Sequence, residues 1–270
     1  MKLYVEHNTT FSYSAPVYET TTEMRLQPVN STADRQRCDR FSVSVEPPAP
    51  IFNYTDYYGN TVHYFNLLRS HQQLTIKATS VVETGVATAF TPADDILLRD
   101  LLLETKYIRC NQAVFDFAAP LRSERVDIFA ERVGRKIYET FTYETGVTGV
   151  HSTSTEVMEL GRGVCQDFAH IMLAVLRCHG VPARYVSGYL YGGPGSEEHP
   201  RASHAWCEVY GGSELGWLGF DPTHEALFVN DSYIKIGAGR DYGDVSLVRG
   251  TYKGNATETL KAVVQVRSVE

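Results

Sequence analysis

The sequence predicts an α+β protein, in which an antiparallel β region precedes a core of helices packed on an antiparallel sheet. Short β-branched and aromatic runs, broken by proline and glycine, fill the first 88 residues. Apolar residues at helical spacing then dominate up to residue 180, and strand patterns return over residues 183–220. We therefore expect a β-rich domain over residues 1–88 and a second domain over residues 89–270.

Four runs in the N-terminal region have strand character, and they are Leu3–Val5, Phe41–Val45, Val62–Phe65 and Leu74–Ala78. Prolines at positions 16, 28, 47 and 48 fall between these runs, and a proline interrupts the hydrogen bonding of a central strand. Such a series of short strands and turns is typical of an antiparallel sandwich or meander.

Two amphipathic helices are predicted next. Thr91 can cap the first helix and Pro92 suits its first turn. Its apolar residues are Leu97, Leu98, Leu101 and Leu102. The second helix starts near Ser123, and charged residues fill the positions that would face water. Its single apolar stripe consists of Val126, Phe129, Ala130, Val133 and Ile137.

A third, short helix leads into a long apolar one. Thr153 and Glu156 have the spacing of a capping box, and Gly161 can end the short helix. The long helix begins at Cys165 and ends before Gly180. Its apolar residues are Phe168, Ala169, Ile171, Met172, Leu173, Ala174, Val175 and Leu176. Because they cover nearly all sides of the helix, we expect protein to surround it.

Cys165 is the candidate nucleophile. Unpaired N–H groups and the positive end of the helix dipole favour a thiolate over a thiol at a helix N-terminus. The alternative is that Cys165 is a small buried hydrophobic residue without chemistry, as most cysteines are. Two later residues favour catalysis, because His204 begins a predicted strand and Asp221 ends the next one.

The strands that follow the long helix bring these residues together. A strand over residues 183–190 precedes a loop over 192–200, which we expect to form one lip of a cleft. Strands over 204–210 and 216–220 are joined by a short glycine-rich connection, which predicts a hairpin with His204 and Asp221 near each other. A last strand is predicted over residues 260–267, and the sequence does not show which sheet it joins.

These residue types suit acyl transfer by a thiol. His204 would hold the proton of Cys165 and later give it to the leaving amine, and Asp221 would fix the tautomer of the imidazole. The backbone N–H of Cys165 is a candidate oxyanion donor, and no second donor can be assigned. We expect Gln166 and Asp167 to support the site from the first helical turn.

Four motifs carry a family resemblance. They are Gly163–His170, Gly180–Tyr189, Ser203–Trp206 and Phe220–Thr223. In this order they resemble the transglutaminase-like superfamily of papain-type folds, and they are most similar to its bacterial branch of candidate cysteine proteases. The resemblance extends over most of the chain, including the N-terminal β region and residues 239–250.

The resemblance implies a papain-like core and a Cys-His-Asp triad acting on a peptide or protein substrate through an amide or glutamine side chain. Hydrolysis of peptide, isopeptide or other amide bonds is the first interpretation. Transamidation, with an amine as the acceptor, is the second. A non-catalytic interaction module is the alternative from another class. The family-like segment 239–244 is expected to wall the cleft, and the candidate substrate contacts are Trp206, Arg240 and Tyr242.

A zinc site is the chemical rival, and its possible ligands are Cys165, His170, His204 and Cys207. His204 and Cys207 lie three apart on one strand and would point to opposite faces, so no metal or other cofactor is expected. His170 is interpreted as a hydrogen-bonded core residue. His224 is interpreted as an exposed loop residue, with substrate binding as the alternative.

Composition limits the partners. The formal charge of −7 disfavours nucleic acid. No stretch approaches the ~20 apolar residues that span a bilayer, and no signal peptide is recognisable, so a cytoplasmic location is expected. The five cysteines form no C-x-x-C pair and are odd in number, which favours reduced thiols over a disulfide framework. The oligomeric state is left open.

Overall fold

The computed structural model describes residues 1–31, 34–86, 92–195 and 203–269. The predicted cap Thr91, the predicted domain boundary at residues 88 and 89, and residues 196–200 of the predicted lip lie outside these ranges.

The described residues form strands and helices in an α+β arrangement. The strands are β1 (Lys2–Met24), β2 (Gln36–Glu46), β3 (Phe52–Thr55), β4 (Thr61–Leu67), β5 (His71–Thr84), β6 (Thr142–Tyr143), β7 (Arg162–Gly163), β8 (Ala183–Leu190), β9 (His204–Tyr210), β10 (Trp217–Phe220), β11 (Tyr233–Gly239), β12 (Val248–Lys253) and β13 (Glu258–Ser268). The helices are α1 (Asp95–Asp100), α2 (Gln112–Ala118), α3 (Val126–Thr140), α4 (Ser154–Leu160), α5 (Cys165–Cys178) and α6 (Tyr242–Val245).

The N-terminal antiparallel sheet is organised around β1. The strand order is β2-β5-β1-β4-β3, and β12 and β13 also pair with β1. β1 is far longer than the predicted run at Leu3–Val5, because polar residues also take buried positions on its inner face. His7, for example, is buried and hydrogen-bonds Tyr189 and Thr9 at 2.7 and 2.9 Å. Those partners offset the cost of burying the imidazole.

The second sheet supports the long helix. Its order is β10-β9-β8-β11, and all its pairs are antiparallel. α5 packs on β8 and β9 and is flanked by α2, α3 and α4. Residues from Phe168 to Leu176 are almost completely buried, so the expected burial of this helix is confirmed.

Helix predictions succeed where the apolar stripe is strong. Phe129, Val133 and Ile137 of α3 are buried as expected. Thr153 and Glu156 form the predicted capping box of α4, which ends at Gly161 with φ of 74°. The first helix is shorter than expected, because Asp94 caps it and none of its six residues is buried. α2 was not predicted, since its seven-residue apolar pattern is too short to read.

The cysteine prediction is wrong at one pair. Cys110 and Cys178 form a disulfide, with their Cα atoms 5.5 Å apart. It ties the C-terminal end of α5 to the segment before α2. Cys38, Cys165 and Cys207 are free. Disulfides persist in oxidising compartments, so the cytoplasmic location stays a prediction without support from the thiols. None of the described helices has the length and hydrophobicity needed to cross a membrane.

The C-terminal segment returns to the N-terminal sheet. β13 pairs with β1 over Leu3–Tyr13, which answers where the last strand belongs. β12 pairs with the other half of β1. The fully buried β11, which sequence reasoning missed, lies beside β8 in the second sheet. The end of β13 therefore lies beside the start of β1.

Candidate active site

Cys165 occupies the first position of α5, at a turn that Asp167 holds in place. The Asp167 carboxylate accepts the backbone N–H of Val164 at 2.8 Å and the Thr148 hydroxyl at 2.6 Å. A Cβ at Gly163 would come within 2.6 Å of the same carboxylate, so only glycine fits there. Burial raises the pKa of Asp167, and these two hydrogen bonds oppose the effect. Asp167 thus shapes the turn instead of facing the cleft.

His204 and Asp221 meet as the hairpin pattern predicts. In the register of β9 and β10, Phe220 lies opposite Cys207, so the ends that carry His204 and Asp221 are adjacent. Nε2 of His204 lies 2.6 Å from Oδ2 of Asp221. The Asp221 side chain has no exposure to solvent. The other imidazole nitrogen is left for Cys165, whose side chain is hydrogen-bonded to His204.

Asp221 has hydrogen-bond partners in addition to His204. Its Oδ2 also accepts hydrogen bonds from Tyr233 at 2.9 Å and from His224 Nδ1 at 2.7 Å. Its Oδ1 accepts the N–H and hydroxyl of Thr223 at 3.0 and 2.5 Å. His224 is therefore attached to the site, while its side chain stays 44% exposed. Its spacing of three residues from Asp221 was the available signal.

The protonation states of His204 and Asp221 depend on each other. Burial of His204 and Asp221 disfavours the charged form of each residue. Hydrogen bonds from His204, His224 and Thr223 outweigh burial and hold the pKa of Asp221 far below its usual range. Hydrogen bonds and charges from Asp221 and Cys165 raise the pKa of His204 to about 10. His204 is thus a protonated imidazolium at neutral pH.

Tyr143 contacts the nucleophile, and sequence reasoning missed it. β6 pairs in parallel with β7, which places Tyr143 opposite Gly163. Its hydroxyl is hydrogen-bonded to the side chain and the backbone of Cys165. Burial, followed by the charge of Cys165, raises the pKa of Tyr143 to about 12, so the hydroxyl keeps its proton. A two-residue strand leaves no periodic pattern that would have revealed it.

A cleft of about 320 Å³ lies over Cys165, between the two sheets. On the helical side it is lined by Tyr143, Gln166, His204 and Tyr242. On the other side it is lined by His7 and Thr9 of β1 and by Leu260 and Ala262 of β13. The N-terminal sheet thus forms one wall of the cleft, a role that sequence analysis left open.

Some of the predicted cleft residues line the cleft and others lie outside it. Gln166 and Tyr242 line the cleft, and the amide of Gln166 donates to the carbonyl of Val150 at 3.2 Å. Arg240 lies away from the cleft, because its guanidinium is bound to the Asp244 carboxylate, with a 3.0 Å contact through Nε. Trp206 is also outside the cleft, since it is buried behind His204 with the ring centroids 6.3 Å apart.

The four possible ligands of the rival zinc site do not converge. Cys207 faces α5 and donates to the carbonyl of Ala169 at 3.3 Å, on the face of β9 opposite His204. His170 is completely buried and accepts the N–H of Tyr242 at 3.2 Å, as expected of a core histidine. A different trio, His204, Asp221 and His224, places three ligand atoms within 4.8 Å of one another. Their mutual hydrogen bonds already satisfy these atoms.

Comparisons with known proteins agree with this architecture. Residues 3–83 match the bacterial transglutaminase-like N-terminal region, and residues 117–222 match the transglutaminase-like superfamily. An uncharacterised protein from Mycobacterium leprae is 34% identical, with 98% of each chain covered. A protein-glutamine gamma-glutamyltransferase from Pseudomonas aeruginosa is 36% identical over 94 residues, which are 32% of this chain and 13% of that one.

A solved structure has the same fold. It is a candidate cysteine protease from Cytophaga hutchinsonii, with a TM-score of 0.80 and 23% identity. The match covers 100% of this chain and 91% of the other. At this identity the similarity establishes the papain-like, transglutaminase-like architecture of the core together with its N-terminal sheet.

Proposed function

The chain belongs to the transglutaminase-like superfamily, and from that premise we propose that it is a thiol-dependent acyl-transfer enzyme. The observation that carries the proposal is the series of hydrogen bonds from Cys165 to His204 and from His204 to Asp221, at the edge of an open cleft. The catalytic residues are these three. An inert interaction module would have no need for an imidazolium held between a thiol and a buried carboxylate.

The reaction starts from a charged pair. In the proposed mechanism His204 takes the proton of the Cys165 thiol, and Asp221 stabilises the resulting imidazolium. The Cys165 thiolate attacks the carbonyl carbon of an amide, which forms a C–S bond and moves an electron pair onto the oxygen. His204 then gives its proton to the nitrogen as the C–N bond breaks. An amine or ammonia leaves, and a thioester remains on Cys165.

The oxyanion is stabilised where α5 begins. The backbone N–H of Cys165, at the first position of α5, has no acceptor within the helix and is hydrogen-bonded to the Tyr143 hydroxyl. Tyr143 supplies the second donor, because its hydroxyl reaches both the thiol and this N–H and retains its proton. Tyr143 would rotate slightly as the carbonyl oxygen enters the position between the two groups.

Two acceptors can resolve the thioester. In hydrolysis, water gives a proton to His204 and attacks the thioester, releasing the acid and the free enzyme. This is the first proposal, for peptide, isopeptide or other amide bonds, and the open cleft over Cys165 supports access of water. Transamidation is the alternative, and the similarity to the Pseudomonas aeruginosa gamma-glutamyltransferase favours it. In both, the substrate is a peptide or protein.

One experiment separates these reactions. Glutamine-containing peptides are incubated with the protein, with and without a labelled primary amine, and ammonia, cleavage products and amine incorporation are measured. We expect amide hydrolysis by the wild type and none by Cys165→Ala. Preferential incorporation of the amine would make transamidation the main activity. An absence of acyl transfer across a peptide library would make the non-catalytic interaction module the leading interpretation.

A further inference from the structure

A second cavity, of about 250 Å³, adjoins the cleft. It is lined by residues of β1, β5, β12 and β13 of the N-terminal sheet. Val248 and Leu260 line both the cleft and the second cavity, so the two cavities adjoin there, and we refer to them together as the groove. No step of the proposed acyl transfer uses the far end of this groove.

The floor of the groove is one face of the β1–β13 pair. Alternate residues of a strand share a face, and directly paired residues lie side by side. Thr9 pairs with Ala262 at the cleft end, Phe11 pairs with Leu260 in the middle, and Tyr13 pairs with Glu258 in the second cavity. At about 3.4 Å per residue, Glu258 lies about 14 Å from Ala262 along β13. An extended peptide covers that distance with about four residues.

The charge of the second cavity is negative. Two charged side chains line it, Arg249 and Glu258. Arg249 is neutralised by Glu23, with contacts of 2.8 and 2.6 Å. Glu258 forms no ion pair with any residue in the described part of the chain, and burial raises the pKa of its carboxyl. A cation that enters the cavity would therefore find an unpaired carboxylate.

The walls of the second cavity suit a long aliphatic side chain that ends in a positive charge. Phe11 and Leu260 supply apolar surface between the cleft and Glu258. Tyr13 and Tyr252 pack edge to face, with their centroids 4.9 Å apart, beside the carboxylate. Lysine and arginine bury their methylene groups on such surfaces while the charge reaches a polar partner, and aromatic faces attract the cation as well.

We propose that the second cavity is a subsite for a lysine or arginine side chain of the acyl-donor peptide, about four residues from the residue that Cys165 attacks. The inference rests on the proposed function, because it takes the groove to be occupied by substrate. It assigns the N-terminal sheet a role in selecting substrates: Glu258 binds the basic residue, and the β1–β13 floor carries the intervening chain.

The test measures binding separately from turnover. Peptides with one glutamine, and with lysine, norleucine or glutamate three to six residues to either side, are titrated onto Cys165→Ala. Lysine at the best position should bind about fivefold more tightly than norleucine, and glutamate more weakly. Glu258→Gln in the same background should abolish the preference for lysine. The control is Glu46→Gln, since Glu46 is exposed on the opposite face of the sheet and should leave the preference unchanged.

The same peptides are then used for turnover by proteins that retain Cys165, without added amine, so that only the acyl donor is tested. A preference for lysine in kcat/KM that disappears in Glu258→Gln supports the subsite. No lysine preference at any position, or a preference that survives Glu258→Gln, overturns it. If binding depends on Glu258 but no peptide is turned over, the subsite stands as a binding site and the proposed acyl transfer fails.

Discussion

His224 shares one carboxylate oxygen with His204. Both imidazoles contact Oδ2 of Asp221, His204 at 2.6 Å and His224 at 2.7 Å. Because Asp221 is buried and accepts five hydrogen bonds in all, its position is fixed from several sides before any substrate binds. A carboxylate fixed in this way can orient His204 without reorganising during the reaction.

The first prediction concerns this carboxylate. Asp221→Asn should retain the fold, because the amide keeps partners for its oxygen, but should reduce kcat by about 10³- to 10⁴-fold through loss of the correct tautomer. His224→Ala should cost far less, about tenfold or below, because Tyr233 and Thr223 still hold Asp221. The measurements are turnover and circular dichroism. Near-normal turnover of Asp221→Asn would remove Asp221 from the mechanism.

The second prediction concerns thiol reactivity. Iodoacetamide at neutral pH should modify Cys165 before the other free thiols. Burial raises the pKa of Cys38, and it raises that of Cys207 strongly, whereas Cys165 is paired with an imidazolium. Mass mapping over time gives the order of modification. His204→Gln is the control and should slow the modification of Cys165 alone. If Cys38 reacts as fast as Cys165, the charged pair does not exist.

The third prediction is a dependence of stability on pH. The pKa of His204 is about 10 in the folded protein, above its ordinary value of 6.5. The folded state therefore holds a proton that the unfolded chain releases. The resulting stabilisation is fully present below about pH 6.5 and is lost as the pH rises through about 10.

Urea unfolding of the wild type and of His204→Gln measures this effect. The difference between their free energies of unfolding should be largest near about pH 6 and should decrease toward about pH 10. Using the difference cancels the titration of groups that both proteins share. A difference that stays constant over this range would show that His204 is not held in its protonated form.

How much the sequence predicts depends on how local the signal is. Cys165, His204 and Asp221 lie at element ends that short motifs define, so their approach to one another was predictable. The disulfide joins residues 68 positions apart, and the pairing of Leu3 with Ser268 spans the whole chain. No local periodicity encodes such contacts.

The second wall of the cleft was unpredictable for the same reason. His7 and Thr9 are polar residues that follow the predicted run at Leu3–Val5, and their alternation with other polar residues does not indicate a buried face. Their burial is explained only by the contacts that they make in the folded sheet. Arg240 was misassigned to the cleft because its sequence does not reveal that Asp244, four residues later, binds it. Trp206 was misassigned because, although it shares a face of β9 with His204, it is buried against Tyr233, with the ring centroids 5.3 Å apart.

The last prediction tests Tyr143. Tyr143→Phe removes one hydroxyl next to the backbone N–H of Cys165 and leaves the ring, which packs edge to face on Phe168 at 6.1 Å between centroids. If the hydroxyl stabilises the oxyanion, kcat should fall by about 10- to 100-fold, with a smaller change in KM. Alkylation of Cys165 should continue, because His204 and Asp221 are untouched.

Tyr138→Phe is the matched control, since Tyr138 is exposed on α3, outside the cleft, and its loss should leave turnover unchanged. A purely structural role of Tyr143 would lower the free energy of unfolding and leave kcat of the folded fraction normal. An increase in kcat would mean that the hydroxyl blocks the oxyanion position in the free protein. Only a selective loss of kcat, with unfolding and alkylation little changed, makes Tyr143 the second donor beside the N–H of Cys165.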